Sequence, residues 1–426
     1  MFVLYKGGLY MSTKEQYQNR MKRIDEALAG NEPDRVPVIP FVQTYSVTHS
    51  GHTMAEAMYD SAVMQNALRQ YLKDYEPDAN YGYSPFFCGL GRCFELTGIS
   101  FLQWAGQEGG VCTENSIHQF VEKAYLGDDE YTELLTDLTG WIMKKYLPRN
   151  FKLLEPMAQM SFGSMLGYGA LPGMMQFADP AIAEMFVKLG EAAKMISRYY
   201  GEAHTFDMEM IEAGYPLFFK ATTTCAFDML SDCLRGTLDT MADLYEQPEN
   251  VHKAIDFFYP GTLYGALSQT ERSKGKVVFI PLHKGLDGFM GNEQYREFYW
   301  PTLKALVNDL AAAGQIPYVY TEGKYDSRLE FLSELPAGKC LVHFENCDMK
   351  EAKRIVGKNC CISGGFDGRI LETGTPQQVT EAVKRILDIC APGGGYIFDV
   401  NTTIDYGVKH ENVLAMFDAV KTYGKY

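Results

Sequence analysis

The segment 316-IPYVYTEG-323 has the β-branched and aromatic composition of a buried strand, and it ends on a charged side chain. Three other runs in the last third of the chain repeat this pattern, namely 276-KVVFIPLHK-284, 340-CLVHFEN-346 and 360-CCISGGFDG-368. The spacers between them are long enough for helices, and strands that alternate with helices predict a parallel sheet. Ionisable side chains at strand C-termini are typical of the catalytic face of a (β/α)8 barrel. The pattern therefore predicts an enzyme with its site at this rim.

The remaining sequence fits a single α/β domain, a (β/α)8 TIM barrel. Residues 1–30 are expected to form an N-terminal extension with a surface helix, and residues 31–426 the barrel. The run 35-RVPVIPFVQ-43 predicts the first barrel strand, and the stretch 110–150 predicts a helical insertion. Residues 157–175 are rich in Met and Gly, a composition that fills irregular core gaps and also lines adaptable binding surfaces.

Composition narrows the class of protein. A net charge of −15 over 426 residues argues against nucleic acid and other polyanions as partners. No apolar run approaches the length of a membrane span, so no membrane partner is expected. The ten cysteines include no C-x-x-C pair and are typical of reduced thiols in the cytosol. These features predict a cytoplasmic enzyme.

A metal site is predicted where two of the strands end. Glu322 and His343 end neighbouring candidate strands, and their spacing suits a crossover that brings both side chains to one rim. Glutamate and histidine are competent zinc ligands, and His283, one strand earlier, is a natural third ligand. The alternative is that His343, inside LVHFE, is a core histidine with a satisfied hydrogen bond. Zinc or another divalent metal at His283, Glu322 and His343 is the hypothesis.

Carboxylates near the same strand ends are candidate general acids. A partly buried carboxyl group has a raised pKa and can protonate a leaving group. Asp399 is the best placed, because it ends the apolar run GYIF, and Asp367 is the second candidate. For each of them a solvated loop carboxylate is the alternative. The residues predicted to contact substrate are Tyr320, Asp228, Glu345 and Asn401.

Several motifs together resemble the uroporphyrinogen decarboxylase superfamily, which also contains zinc- and corrinoid-dependent methyltransferases. The resemblance rests on 361-CISGGFDGRILETGTPQQVTEAVKRIL-387, 34-DRVPVIP-40, 226-AFDMLSDCLRG-236 and 283-HKGLDGFMGNEQYREFYWPTLK-304. The central matches are most similar to a subgroup found among anaerobes and associated with O-demethylation.

Two departures from the family patterns bear on the function: the first argues against porphyrinogen decarboxylation, and the second argues against a thiol as the substrate of a methyltransferase. Porphyrinogen decarboxylases hold their carboxylates with arginines after the first strand, but here no Lys or Arg occurs between Arg35 and Arg69. The methyltransferase branch typically binds zinc through a His-x-Cys pair and a later Cys, where this chain has Tyr320-Thr321-Glu322 and Gly393–Gly395 with Asp399. Without thiolates, a harder site rich in oxygen and nitrogen suits an ether or an amine better than a thiol.

The resemblance implies a methyltransferase that moves a methyl group from a methoxylated aromatic, or a similar O- or N-methyl donor, to the Co(I) corrinoid of a separate protein. The leaving group would be activated by the metal or by a general acid. The chain lacks a D-x-H-x-x-G corrinoid motif, so the corrinoid must come with a partner protein. A homodimer is compatible with the sequence.

Two alternatives stay open. A uroporphyrinogen decarboxylase-like lyase acting on a smaller carboxylic acid needs basic side chains in the barrel mouth, for which Lys220, Lys284 and Arg369 are the candidates. A non-catalytic corrinoid- or ligand-binding barrel would keep the fold, with its polar residues pointing away from a common point.

Overall fold

A computed structural model describes residues 3–5 and 8–426 of the chain, and this part contains ten strands. They are β1 (Val3–Tyr5), β2 (Gly8–Tyr10), β3 (Leu102–Gln103), β4 (Gln119–Phe120), β5 (Phe219–Thr222), β6 (Val277–Leu282), β7 (Pro317–Lys324), β8 (Leu341–Asn346), β9 (Cys361–Gly364) and β10 (Tyr396–Ile397). Strands β5 to β10 form one parallel sheet in which each strand pairs with the next. The four strands predicted in the last third of the chain are confirmed as β6 to β9.

Two further segments complete the barrel on either side of this sheet. Residues 36–42 pair in parallel with the last strand region through Val38 and Phe398, and the second segment, around Asn80, pairs with Leu217 just before β5. The two segments are joined to each other because the Asp78 amide donates a 3.0 Å hydrogen bond to the carbonyl of Val38. Eight segments therefore close on themselves, and the predicted (β/α)8 barrel is confirmed.

Helices surround the barrel and build its extensions. They are α1 (Thr13–Leu28), α2 (Tyr45–His49), α3 (Met54–Tyr59), α4 (Ser61–Tyr75), α5 (Gly91–Thr97), α6 (Tyr131–Thr136), α7 (Leu138–Trp141), α8 (Leu147–Asn150), α9 (Ala170–Gly173), α10 (Pro180–Glu212), α11 (Ala226–Leu230), α12 (Thr237–Glu246), α13 (Pro248–Thr270), α14 (Asn292–Gln294), α15 (Trp300–Ala312), α16 (Leu329–Leu332), α17 (Met349–Ile355), α18 (Arg369–Thr373), α19 (Pro376–Cys390) and α20 (His410–Tyr423). Over the described part of the chain, each helix is too short or too polar to traverse a lipid bilayer.

The predicted surface helix of the N-terminal extension is α1. It begins at a capping box, in which the Ser12 hydroxyl accepts from the amide of Glu15 and the Glu15 carboxylate accepts from the amide of Ser12. This exchange satisfies two backbone donors that a helix start otherwise leaves open. Of the extension predicted over residues 1–30, residues 1, 2, 6 and 7 lie outside the described part.

The insertion between the second and third barrel segments is larger than predicted from the sequence. It includes the predicted stretch 110–150 and continues through α10, whose 33 residues span roughly 50 Å at the rise of an α-helix. A second, smaller core forms within it from Leu154, Met157, Met160, Ile182 and Met185. The insertion is therefore a layer of its own, built beyond the second barrel segment.

Aromatic rings occupy the interior of the barrel. Phe41 lies at the centre of this group, with ring centroids 4.7 Å from Tyr81, 5.6 Å from Phe219 and 6.3 Å from Tyr320. Tilted and edge-to-face contacts of this kind are the favoured geometry for aromatic pairs. These rings fill the interior, and the C-terminal ends of the strands above them are the face on which barrel enzymes bind their ligands.

Candidate active site

A cavity of about 880 Å³ lies above the ends of β5, β6 and β7. Its walls are mostly apolar, and its polar groups collect at one end. The aromatic wall residues are Phe101, Phe120, Tyr125, Tyr146 and Phe258, and the polar end holds Glu122, Asp232, His283, Lys284 and Glu322. An apolar cavity with a few convergent polar groups is the usual form of a small-molecule site. The cavity is therefore the candidate active site.

His283 is the central group of the polar end. It follows the last residue of β6, and its ring is 36% exposed, so it faces the cavity from the rim. Nδ1 lies 2.5 Å from Asp232 Oδ2, whereas Nε2 lies 3.6 Å from Glu322 Oε1. The first contact is a strong hydrogen bond and the second is too long for one. Nε2 is therefore the nitrogen available to a ligand.

The carboxylates around His283 keep it protonated. Burial by itself lowers the pKa of the imidazole, but the hydrogen bond to Asp232 and the nearby negative charges of Glu322 and Asp228 outweigh burial and raise this pKa to about 11. A charged group gains most from opposite charges where water is partly excluded. At neutral pH the site thus presents an imidazolium with its Nε2–H directed towards the cavity.

Asp228 holds the backbone at the end of β6 in place. It is buried, and its two oxygens accept the backbone amides of His283 and Lys284, each over 3.1 Å. The Tyr299 hydroxyl donates to the same carboxylate over 2.7 Å. Burial and the neighbouring charge of Asp232 raise the pKa of Asp228. Asp228 therefore positions His283 through the backbone, and the prediction that it contacts substrate is replaced by this supporting role.

A π-helical turn carries Asp232 into the cavity. The turn spans Ser231–Arg235, and the Gly236 amide donates to the carbonyl of Ser231 over 2.8 Å. The extra residue of a π-turn re-aims neighbouring side chains and is common at functional sites. Here Arg235 points away and binds Asp243 over 2.7 Å. The Asp232 carboxylate therefore contacts His283 and Lys284 instead.

Among the described residues, Lys284 is the one cation beside His283 at the polar end. Its Nζ lies 3.2 Å from Asp232 Oδ1, 3.4 Å from Glu122 Oε2 and 2.8 Å from Thr237 Oγ1. Burial lowers the pKa of Lys284, but Asp232 and Glu122 outweigh it and raise the pKa overall. This ammonium is therefore already neutralised by protein carboxylates. Lys220 and Arg369, the other two cations expected for a lyase, do not line the cavity.

His343 belongs to a different cluster, deep inside the barrel. It is fully buried, stacks on Tyr320 at 4.0 Å between centroids, and donates from Nε2 to the Asn401 carbonyl over 3.0 Å. Nδ1 lies 3.2 Å from Ser363 Oγ. Burial lowers the pKa of His343 to about 4, so the ring is neutral. Gly364, at φ +83°, makes room for it, because a Cβ there would lie 2.8 Å from the His343 ring. His343 is the satisfied core histidine that the sequence left as the alternative.

Asp399, predicted as the general acid, lies in this buried cluster and not in the cavity. One oxygen accepts the Phe41 amide over 2.9 Å, and the other lies 3.4 Å from the Tyr318 hydroxyl and 3.5 Å from His343 Nδ1. Burial raises the pKa of Asp399 to about 8. The carboxyl group has the raised pKa expected of a general acid, but it does not line the cavity.

The other predicted site residues lie outside the cavity. Asp367 is exposed and paired with Arg369 at 2.7 Å, which holds the pKa of Asp367 below its usual value, the wrong direction for a general acid. Tyr320 donates to the Thr402 carbonyl over 2.9 Å, and Glu345 accepts the Gly323 amide. The Asn401 side chain accepts the Gly368 amide over 3.0 Å. These residues support the rim and do not line the cavity.

The three residues predicted to bind zinc are not brought together in this arrangement. His283 and Glu322 face each other, but both ring nitrogens of His343 are engaged inside the barrel. Within the described ranges no three His, Cys, Asp or Glu side chains are grouped to hold a metal. Catalytic zinc takes three protein ligands in its usual sites. His283 and Glu322 supply only two ligands, so this arrangement does not fit a catalytic zinc ion.

Sequence reasoning undervalues two members of the polar end. The spacing of Asp232 and Arg235 favours a simple ion pair, and Glu122 lies in the insertion, far from any predicted strand. For Asp232 the sequence does contain a signal: Asp232 lies at helical spacing from Asp228, on a segment that is followed by a strand ending in His-Lys. For Glu122 and the aromatic wall residues of the insertion the sequence holds no comparable signal.

The fold and the position of the cavity define an enzyme-type (β/α)8 barrel. Residues 208–423 match the family model for uroporphyrinogen decarboxylase (URO-D), which spans half of the chain. The chain belongs to the URO-D family.

Relatives and a solved structure extend this comparison. The chain is 24% identical over 187 residues to the uroporphyrinogen decarboxylase of Neisseria meningitidis serogroup C (strain 053442), covering 43% of this chain and 51% of the relative. It is 25% identical over 259 residues to that of Aromatoleum aromaticum, covering 59% and 65%. It thus spans only about half to two thirds of these relatives. A methyltransferase from Methanosarcina mazei has the same fold, with a TM-score of 0.59 at 14% identity, covering 95% of this chain and 98% of that one.

Proposed function

We propose that the protein transfers a methyl group from a methoxylated aromatic compound to the Co(I) corrinoid of a separate carrier protein. The observation that carries the proposal is a single protonated imidazole, His283, at the polar end of an otherwise apolar cavity. The aromatic wall residues suit a substrate ring, and His283 Nε2 suits an oxygen that becomes negative. Each end of the cavity thus matches one part of an aryl methyl ether.

The reaction needs help at the leaving oxygen. When the O–CH3 bond breaks, the methyl carbon passes to the Co(I) centre of the carrier and the bonding electron pair stays on the phenolate oxygen. Phenols have a pKa of about 10, so an unassisted phenolate is a poor leaving group. His283 Nε2–H donates a charge-assisted hydrogen bond to this oxygen and passes its proton to it. The products are a phenol and the methylated carrier.

The pKa of His283 is similar to the pKa of the phenol product. His283, with a pKa of about 11, lies near the phenol product, so proton transfer between them is nearly thermoneutral. A positioned donor of this kind typically contributes about 10²–10⁴-fold to the rate. Asp232 stays on Nδ1 throughout and keeps the ring oriented, and solvent protons restore the imidazolium afterwards.

The charge of the cavity selects against strongly anionic substrates. Glu122 and Glu322 flank the polar end, and Lys284 is already paired with Asp232 and Glu122. Arg35, the last basic residue before the loop that follows the first strand, is bound to Asp78 at 2.7 Å. A polycarboxylate such as a porphyrinogen would find no free cation among these residues. Neutral methoxylated rings are therefore the favoured class.

The test is a methyl-transfer assay with the purified protein, free cob(I)alamin held reduced, and a series of methoxylated benzenes. We expect loss of the Co(I) absorbance together with one equivalent of phenol, and no reaction with the matching ring that lacks the methoxy group. Absence of demethylated product across aryl ethers, betaines and methylamines would remove the proposal. Release of CO2 from a small aromatic or aliphatic acid would instead favour the lyase, the activity named for the family.

A further inference from the structure

The cavity is larger than a single substrate ring requires. A cavity of about 150 Å³ in a protein interior is enough to bind benzene. The candidate active site has a volume of about 880 Å³, and its polar end lies beside His283 and Glu322. A single methoxylated ring held at His283 would therefore leave most of this volume unfilled.

The cavity extends from His283 to the end of the short strand β5. Thr222 is the last residue of β5, lines the cavity and pairs with Phe279 of β6. His283 comes four residues after Phe279, and four residues along an extended chain span about 13 Å. The cavity thus has two ends, the polar end at His283 and a second end beside Thr222.

One face of α13 forms the wall beside Thr222. The Gln269 side chain exchanges two hydrogen bonds with the backbone of Thr222, over 3.0 Å and 3.2 Å, and also donates to the carbonyl of Gly265 over 3.0 Å. Gly261 lies one helical turn before Gly265 and lines the cavity with it. Thr222, Gly261, Gly265 and Gln269 form the distal end of the cavity.

The two glycines keep the distal end wide. An added Cβ atom at Gly261 or at Gly265 would meet no atom within 4 Å, so no neighbouring element requires glycine at either position. Glycine is also one of the least favourable residues in a helix interior. A remaining use of glycine is to let a ligand approach the backbone closely. The wall that these glycines form is therefore suited to a flat, apolar group.

We propose that the distal end is a subsite for a second aromatic ring, and that the methyl donor is a methoxylated aromatic compound with two joined rings. This inference rests on the proposed methyl transfer and adds a substrate class to it. The methoxylated ring lies beside His283, and the second ring lies against Gly261 and Gly265. Phe258, three residues before Gly261, also lines the cavity and offers the second ring an aromatic contact.

The first test is a binding measurement that needs no methyl transfer. The ligands are phenol and para-phenylphenol, which are demethylated products with one and two rings, and their affinities are measured by calorimetry. We expect the natural protein to bind the two-ring phenol at least about tenfold more tightly, because a second ring leaves water. The double variant Gly261→Leu, Gly265→Leu fills the distal end, so the two affinities should become about equal.

The matched control is the double variant Gly190→Leu, Gly201→Leu. Both glycines lie in α10, where an added Cβ also meets no atom within 4 Å, and neither lines the cavity. This control should keep the preference for two rings. Leucine favours a helix more than glycine does, so the melting temperature of neither variant should fall. Equal binding of the two phenols by the natural protein, or a preference that survives the substitutions in α13, would overturn the proposal.

Methyl transfer to cob(I)alamin gives the second test, with methoxybenzene and para-methoxybiphenyl as donors. The α13 variant should lose at least about tenfold of its rate with the two-ring donor and stay within about twofold with the one-ring donor. Equal slowing with both donors would overturn the proposal, because it would show that the distal end admits the corrinoid. If neither ether is demethylated but the binding preference and its loss are observed, the proposed methyl transfer fails and the second-ring subsite stands.

Discussion

His283 lies at the end of β6, whereas His343 lies within β8, two strands further along the same sheet, and their surroundings drive their protonation in opposite directions. His283 is partly exposed beside Asp232 and Glu322, which raise its pKa to about 11. His343 is buried beside Asp399, and burial lowers its pKa to about 4. Asp399 does not act as a counter-charge, because burial raises its own pKa to about 8. A histidine beside a carboxyl group is thus charged only where at least one carboxylate keeps enough water to stay ionised.

The two rings therefore do different work. A charged ring that faces a cavity can stabilise a leaving oxygen, whereas a neutral ring with both nitrogens engaged can only stabilise the fold. Substitution of each ring, measured by rate and by stability, separates these roles.

The largest effect is expected for His283→Gln. The substitution keeps a hydrogen-bonding side chain but removes the charge and the transferable proton, so the rate of methyl transfer should fall by about 10²–10⁴-fold. The measurement is the single-turnover rate of Co(I) loss with a methoxylated benzene. Asp367→Asn is the control, since Asp367 is exposed and paired with Arg369, and its rate should stay within about twofold. Equal losses in both variants would contradict the role of His283.

The next effect concerns stability in acid. His343 has a folded pKa of about 4, below its unfolded value of about 6.5, so it contributes stability above pH 6.5 that is lost as the pH falls towards 4. The loss should reach roughly 3 kcal/mol in the free energy of unfolding. Urea titrations at several pH values should show this loss between pH 6.5 and 4 in the difference in unfolding free energy between the natural protein and His343→Gln, whereas the difference between the natural protein and His283→Gln should stay constant over that range. Asp399 has the opposite effect on stability, because folding raises its pKa from 3.8 to about 8. All three proteins keep Asp399, so much of its contribution cancels when their unfolding free energies are subtracted.

A smaller effect is expected for Asp232→Asn. Loss of this carboxylate lowers the pKa of His283, so the proton is lost at a lower pH than in the natural protein. The natural protein should keep a constant kcat/KM up to about pH 10, because His283 loses its proton only near pH 11. The variant should lose about tenfold of its activity between pH 7 and pH 9. A pH profile that does not move would mean that the proton comes from another group.

The smallest effect is expected for chelation. The two-residue donor set of His283 and Glu322 does not meet the three-ligand requirement of catalytic zinc, so dialysis against a strong chelator should leave the rate unchanged. Metal content should be measured on the same samples. A stoichiometric metal whose removal abolishes activity, and whose return restores it, would show that the site gains a further ligand on binding substrate.

Strand positions are predictable from the sequence because each barrel strand is a short β-branched or aromatic run. The depth of a side chain along its strand is not predictable in the same way. His283 follows the last residue of β6 and reaches the rim, whereas His343 pairs with Tyr320 in the middle of its strand and points into the barrel. Both look alike in sequence, since each follows apolar residues. Two residues along a strand correspond to about 7 Å, which decides between cavity and core.

The cavity walls are unpredictable for a different reason. Phe101, Phe120 and Tyr146 come from an insertion whose short elements have no strong periodicity, and their place over the barrel depends on long-range packing. The Met- and Gly-rich stretch is compatible with core or with surface, and it divides between them. Met157 belongs to the small core, whereas Met175 is 75% exposed.

Because the turn at Ser231–Arg235 is π-helical, the number of residues in it determines how the side chains after it are placed in the site. Deleting one of its residues would restore a regular helix and rotate the chain beyond the turn by about 100°. Thr237, which binds Lys284 over 2.8 Å, would swing away together with the start of α12. Among family members, gain or loss of one residue here would therefore mark a change of chemistry more reliably than overall sequence divergence.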